Sequence, residues 1–160
     1  MVPEPSDVRR WQRLGAYAVA LRDDDAGTTH LLLTRISAAG HPAGWWALPG
    51  GGVDHGEPPA VALEREVYEE AGLRLASFRL VDIHDLHDVS TTPAGVVEDY
   101  HGVHVLYAAQ VDAPGLPEPH VVEVDGTTDV AAWVPLEDVR DGRPVVAAVE
   151  HVLAHLDDYR

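Results

Sequence analysis

The stretch from Gly50 to Leu73, GGGVDHGEPPAVALEREVYEEAGL, constrains this chain more than any other, because it passes abruptly from residues that oppose a helix to residues that nothing interrupts. Glycines at 50, 51 and 52 favour a turning or closely packed backbone. From Pro58 to Ala71 no helix breaker intervenes, and Pro58 suits a first turn, where its missing N–H would have had no intrahelical partner. Gly72 then supplies a C-cap. The spacing predicts a helix over 58–71, entered from a glycine loop.

That helix carries an unusual face. At 100° per residue, Glu66, Glu69 and Glu70 fall within an arc of about 100°. Ala60, Leu63, Val67 and Ala71 form a neighbouring stripe suited to the core. Acidic runs on helices are usually solvated faces, and like charges at three- and four-residue spacing cost a few tenths of a kcal/mol per pair. A divalent cation would reverse that sign, since Mg²⁺ takes oxygen ligands from a few carboxylates and leaves positions for water and substrate phosphates. The glycines let the backbone approach such a site, so that a main-chain carbonyl becomes a further ligand.

Around this segment the chain reads as short strands. Residues 14–22 and 30–35 are apolar runs separated by the turn-forming DDDAGTT, which predicts a hairpin. HPAGWWALPGGG predicts a loop around a short extended piece. Residues 78–86 and 101–111 read as strands joined by HDVSTTPAGVVEDY, a polar stretch long enough for a mobile flap. Residues 130–134, VAAWV, predict another strand, and VVAAVEHVLAHL a closing amphipathic helix. Strands surrounding two helices predict an α/β fold, one domain over 1–160 with a mixed sheet covered by helices and a loose N-terminus at 1–10.

Charge narrows the function. Twenty-seven Asp and Glu against eleven Lys and Arg give a formal net charge of −16. That charge repels nucleic-acid backbones and anionic membranes. No cysteine is present, which excludes disulfides, thiolate metal sites and a thiol nucleophile. No apolar run is long enough to span a bilayer, and the expected location is the cytoplasm.

Gly51, Glu57, Arg65, Glu66, Val67, Glu69, Glu70, Gly72 and Leu73 fill every specified position of the pattern G-x5-E-x7-R-E-U-x-E-E-x-G-U, with U a bulky apolar residue. In this the segment resembles the Nudix box, and WWALPGG resembles the family's lead-in. The resemblance implies a Nudix-type α/β/α sandwich that hydrolyses a nucleoside diphosphate linked to another moiety, using Mg²⁺ or Mn²⁺. It gives Glu66, Glu69 and Glu70 the metal-binding and base roles, without choosing which glutamate takes the proton. The carbonyl of Gly51 or its neighbour would be a further ligand. Glu57 and Arg65 match the family's structural salt bridge. Family members commonly add an acid from a later loop, and VVEVDGTTD offers Glu123, Asp125 and Asp129. Glu123 has the longer reach, while Asp125 before Gly126 reads as turn chemistry.

For the substrate, Arg35 at a strand end is a candidate phosphate or base contact, and Trp45 a candidate stacking platform. Tryptophans beside a Gly-Pro loop are more often packing anchors, and a surface arginine is ordinary. His151 and His155 have zinc-pair spacing but no accompanying HExxH glutamate. The substrate is expected to be a small nucleotide, and the partner otherwise at most a second copy in a homodimer. The proline and tyrosine that family members specific for ADP-ribose or dinucleoside polyphosphates tend to carry after the box are missing from the neighbourhood of Asp88, Val89 and Ser90. Nucleoside triphosphates, including oxidised ones, are therefore the first expectation. The alternative is a Nudix-like module that senses a nucleotide or sugar without catalysis.

Overall fold

In the computed structural model, which describes residues 8–160, strand alternation decides the architecture. On strand β3 (Thr29–Ile36), Leu31 and Leu33 belong to one apolar cluster and Leu32 to another. Successive side chains point to opposite faces, so a strand apolar on both needs a cover on each. Helix α1 (Pro59–Ala71) provides one cover: Ala62, Leu63, Val67 and Ala71 pack with Ala16, Ala18, Ala20, Leu32, Tyr107 and Ala109. Helices α2 (Leu136–Arg140) and α3 (Ala147–Ala154) provide the other, over Val19, Leu31, Leu33, Leu106 and Val134. The result is an α/β/α sandwich.

The strands form two abutting sheets. In the first, β5 (Gly50–Gly52), β1 (Val8–Val19), β7 (Val97–Val111) and β6 (Leu75–Thr91) lie in that order. β1 runs parallel to β7 and antiparallel to β5, so the sheet is mixed as expected. In the second, β3 pairs antiparallel with β2 (Leu21–Asp23) and β4 (Trp46–Ala47), and with β8 (Thr128–Pro135). The sheets meet where Leu32 N–H donates to Ala20 O and Ala18 N–H to Pro49 O.

Several expectations change in detail. The strand read at 14–22 divides at Ala20, where the chain steps from one sheet to the other, and the hairpin survives as β2–β3 around Asp24, whose Oδ1 accepts from Ala26 and Thr28 N–H. The segment 1–10 is corrected at its end, because Val8, Arg9 and Arg10 pair with Val97, Glu98 and Asp99; residues 1–7 lie outside the described residues. The flap is corrected too. Val89, Thr91 and Val97 are β-branched and extend β6 and β7 into one long hairpin, closed by Thr92 N–H to Val96 O and Gly95 N–H to Thr92 O. The closing helix stops at Ala154, and a 3₁₀ turn (Leu156–Tyr159) follows. Among the described residues, no helix is long and apolar enough to cross a membrane.

Candidate active site

α1 forms as its sequence dictates: Pro58 precedes it, and Gly72, in the left-handed conformation, caps it by donating its N–H to Tyr68 O. The apolar stripe fixes the helix rotation. That rotation turns Glu70 inward, to 7% exposure, while Glu66 is half-buried beside the glycine strand. Glu70 Oε2 accepts from Gly50 N–H at 3.0 Å and Oε1 from Thr128 Oγ1 at 2.7 Å. Burial nonetheless pushes its carboxyl up to about 7, with the charges of Glu66 and Glu123 acting in the same direction.

Arg65 organises the outer part of the site. Its Nε and Nη2 donate to the two Glu57 oxygens at 2.9 and 3.0 Å, and Nη2 also reaches Gly52 O at 3.1 Å. From this anchored position Nη1 donates to Glu66 Oε1 at 2.8 Å and Glu69 Oε2 at 3.4 Å. The guanidinium holds the Glu57 carboxyl below its ordinary range. Glu66 is shifted upward, because burial outweighs the Arg65 bond, and Glu69 and Glu123 add to the shift. Gly51 leaves the space that Glu66 needs: a Cβ there would stand 2.6 Å from the Glu66 carboxyl carbon.

Glu123 arrives from the loop between β7 and β8. Its N–H and that of Val122 both donate to Glu69 O, at 3.0 and 2.8 Å, so the loop is tied to the acidic end of α1. Asp125 adopts positive φ of 58° beside Gly126, as a turn residue does. Asp129 is engaged by Arg35, whose Nε and Nη2 donate to it at 2.9 and 3.1 Å. The structure thus brings together Gly51, Glu57, Arg65, Glu66, Glu69, Glu70 and Glu123. Arg35 stands apart, already paired with an acid, and Trp45 is 42% exposed.

Beside Glu70 opens a cavity of about 200 Å³, bounded by Arg13, Tyr17, Thr34, His41, Gly50, Gly51 and Thr128 among others; Trp45 does not line it. Arg13, Tyr17 and Thr128 have no signal in the sequence, because only the pairing of β1 with β5 and the docking of β8 carry them there. Arg13 lies against Gly52, where a Cβ would stand 2.6 Å from its Nη2. Among the described residues it pairs with no acidic side chain. Burial pushes the Tyr17 hydroxyl up to about 12.

The donor set fits a hard divalent cation, which takes oxygen ligands and favours clustered carboxylates. The charges of Glu69 and Glu123 raise the cost of ionising Glu66, and those of Glu66 and Glu123 the cost of ionising Glu70, which a cation would relieve. Among the described residues, no three acidic or imidazole side chains are already closed into a cage. Arg65 instead holds the outer carboxylates.

This fold and this acidic helix define a class. The NUDIX domain profile matches residues 11–156, and the chain belongs to that family. Among solved structures, a MutT NUDIX hydrolase from Burkholderia pseudomallei is 30% identical with a TM-score of 0.65, the match covering 90% of this chain and 97% of that one. A putative 8-oxo-dGTP diphosphatase 3 of Mycobacterium tuberculosis is 41% identical over 73 residues, 45% of this chain and 34% of the relative. An ADP-ribose pyrophosphatase of the same organism is 31% identical over 130 residues, 79% of this chain. The chain spans 34% and 55% of these two curated relatives' lengths. Nudix proteins typically use a divalent metal, in keeping with the donor set.

Proposed function

We propose that this chain hydrolyses the pyrophosphate linkage of a nucleoside diphosphate joined to another group, with a nucleoside triphosphate, oxidised or not, as the first substrate. One observation carries the reading: the buried, twice hydrogen-bonded Glu70 lines a cavity together with Arg13, and the charges of Glu66 and Glu123 are close enough to act on it. Mg²⁺ or Mn²⁺ is the proposed cofactor; when bound it would neutralise the pyrophosphate and lower the pKa of a water. Glu66, Glu69, Glu70 and the Gly51 carbonyl would hold it, with Glu123 completing the set.

The chain's own groups do the rest. Glu57 fixes Arg65, and Arg65 orients Glu66 and Glu69. Glu69, a third exposed at its side chain, is the most open of the three glutamates on the acidic face of α1 and our choice of proton acceptor, with Glu66 beside it. Arg13 would bind phosphate oxygens, the role a guanidinium fork suits best. Trp45 and Arg35, both outside the cavity lining, are the proposed contacts for the remainder of the substrate. We place the activity in the cytoplasm.

The test is a panel of nucleoside triphosphates, 8-oxo-dGTP, ADP-ribose, sugar nucleotides and dinucleoside polyphosphates, assayed with and without Mg²⁺. Metal-dependent turnover of a triphosphate supports the proposal. Saturable binding across the panel with no turnover would instead assign a sensor, which has no need of the full carboxylate set.

A further inference from the structure

β6 is the outermost strand of its sheet, and residues 85–91 are exposed along it. An uncovered edge is a template for another strand. Here the edge has a self-matching order. Turned end for end about Leu86, the run Ile83-His84-Asp85-Leu86-His87-Asp88-Val89 sets Asp85 against His87, His84 against Asp88, Ile83 against Val89 and Leu86 against itself. We infer that this edge pairs antiparallel with the same edge of a second copy of the chain, about a twofold axis at Leu86.

Backbone and side chains agree on the register. Ile83 N–H donates to Asp82 Oδ1 at 2.8 Å, which marks it as an amide of the open edge. By alternation the amides of Asp85, His87 and Val89 face the same way. In the proposed register 83 meets 89 and 85 meets 87, so open amides meet open amides. Leu86 meets its copy at a non-hydrogen-bonded position, where side chains lie closest. A slip of two residues, the smallest that keeps the amides matched, would set Asp85 on Asp85 and Asp82 on Asp88, or His87 on His87 and Asp85 on Val89.

The same pairing extends a ladder already present. Within one chain, His101 bonds Asp85 at 3.1 Å and His87 bonds Asp99 at 2.6 Å, so acids and imidazoles alternate across this face. A second copy would continue the alternation through Asp85 and His87. Ile83 and Val89, 60% and 58% exposed, would cover each other, and Leu86, 40% exposed, its counterpart. The net charge of −16 opposes association, so the dimer should be weak and concentration-dependent.

Because the chain has no cysteine, a single introduced thiol reports self-pairing alone. Leu86→Cys should form an intermolecular disulfide under mild oxidation, its two Cα atoms being about 4.5 Å apart across the axis, close to the geometry a disulfide needs. Val89→Cys should cross-link at least tenfold more slowly, since the two copies of residue 89 would lie about 20 Å apart along the strands. Sedimentation of the unaltered chain should give a monomer–dimer equilibrium, and His87→Asp, which sets an acid against Asp85, should weaken it at least tenfold. A monomer at every concentration, which would leave the edge to a different protein, overturns the inference. So does a dimer that cross-links equally at 86 and 89, or one indifferent to His87→Asp.

Discussion

The Gly50 amide and Glu70 Oε2 are joined by a 3.0 Å hydrogen bond that ties the glycine strand to the deepest acid of α1. With the Thr128 hydroxyl on the other oxygen, Glu70 has a donor at each end and still ionises reluctantly, because two neutral donors do not replace the water it lost. Metal-free, this acid opposes folding in its charged form. With a cation it becomes the buried end of the site.

Glu70→Gln separates these two states. Gln keeps the volume, accepts from Gly50 and donates to Thr128. The folded-state pKa of Glu70, about 7, lies above the unfolded value near 4.5. The stability this group contributes is therefore present below pH 4.5 and lost as pH rises through 7. In EDTA at pH 8 the variant should exceed the parent by about 1–3 kcal/mol, and the difference should vanish near pH 4. Its Mg²⁺-dependent turnover should fall about a hundredfold. Melting curves across pH and a turnover assay check both; equal stability at pH 8 would count against an ionised, buried Glu70.

Metal linkage gives a second test. Mg²⁺ or Mn²⁺ at millimolar concentration should raise the Tm of the parent, since a ligand stabilises the state that binds it, and EDTA should reverse the shift. In Glu70→Gln the shift should shrink by at least half. Identical shifts in both proteins would place the cation elsewhere.

Gly51→Ala tests the close packing of the glycine strand on α1. The new Cβ would press on the Glu66 carboxylate from 2.6 Å, so the side chain must swing away from its bond to Arg65. Turnover should drop at least tenfold, with a stability loss of about 1–2 kcal/mol. A fully active variant would show that the Glu66 position is not needed.

Arg65→Lys addresses orientation. Lysine keeps the charge but cannot donate simultaneously to both Glu57 oxygens, to Gly52 O and to Glu66 and Glu69. kcat should fall about tenfold or more while KM changes little, because the residue positions acids without touching substrate. A change confined to KM would make Arg65 a substrate contact.

Acid stability reports on His104. Burial is the chief cause that pushes its imidazole down to about 4, with His84 and Arg13 contributing. A histidine with depressed folded-state pKa contributes stability that is complete above its unfolded value near 6.5 and lost as pH falls through about 4. His104→Gln should flatten the acid limb of the stability profile between pH 6.5 and 4, by on the order of 2 kcal/mol. His84, shifted in the same direction, should leave part of the limb in place.

The acidic helix was legible because its evidence is local: breakers at both ends, an apolar stripe and three glutamates on one face. Strand order was legible only as a sequence of short apolar runs. Both faces of β3 are apolar, so hydrophobicity alone could not say which of Leu31 and Leu32 faces α1. The extended arm of β6 and β7 reads as a flap in sequence because its residues are polar and face water. Their pairing, rather than burial, makes them strand. Arg13 and Thr128 were invisible for a different reason: each reaches the site through a contact with a segment distant along the chain, and no local pattern encodes it. In sequence Arg35 is a candidate phosphate or base contact or an ordinary surface arginine, and only the β3–β8 register shows it paired with Asp129.

The loop between β7 and β8 has no regular structure, yet the C-terminal carbonyls of α1 hold its far end as they would hold another helical turn. His120 N–H donates to Ala71 O, and the Val122 and Glu123 amides to Glu69 O. Nearer β7, the Arg22 guanidinium grips Val111, Ala113 and Gly115 carbonyls, and Trp133 Nε1 donates to Pro117 O. Hydrogen exchange should therefore protect the amides of His120, Val122 and Glu123 about as strongly as those at the end of α1, despite their coil geometry. Glu123 is then held in place before any substrate arrives, and little further ordering of its backbone would be needed when one binds.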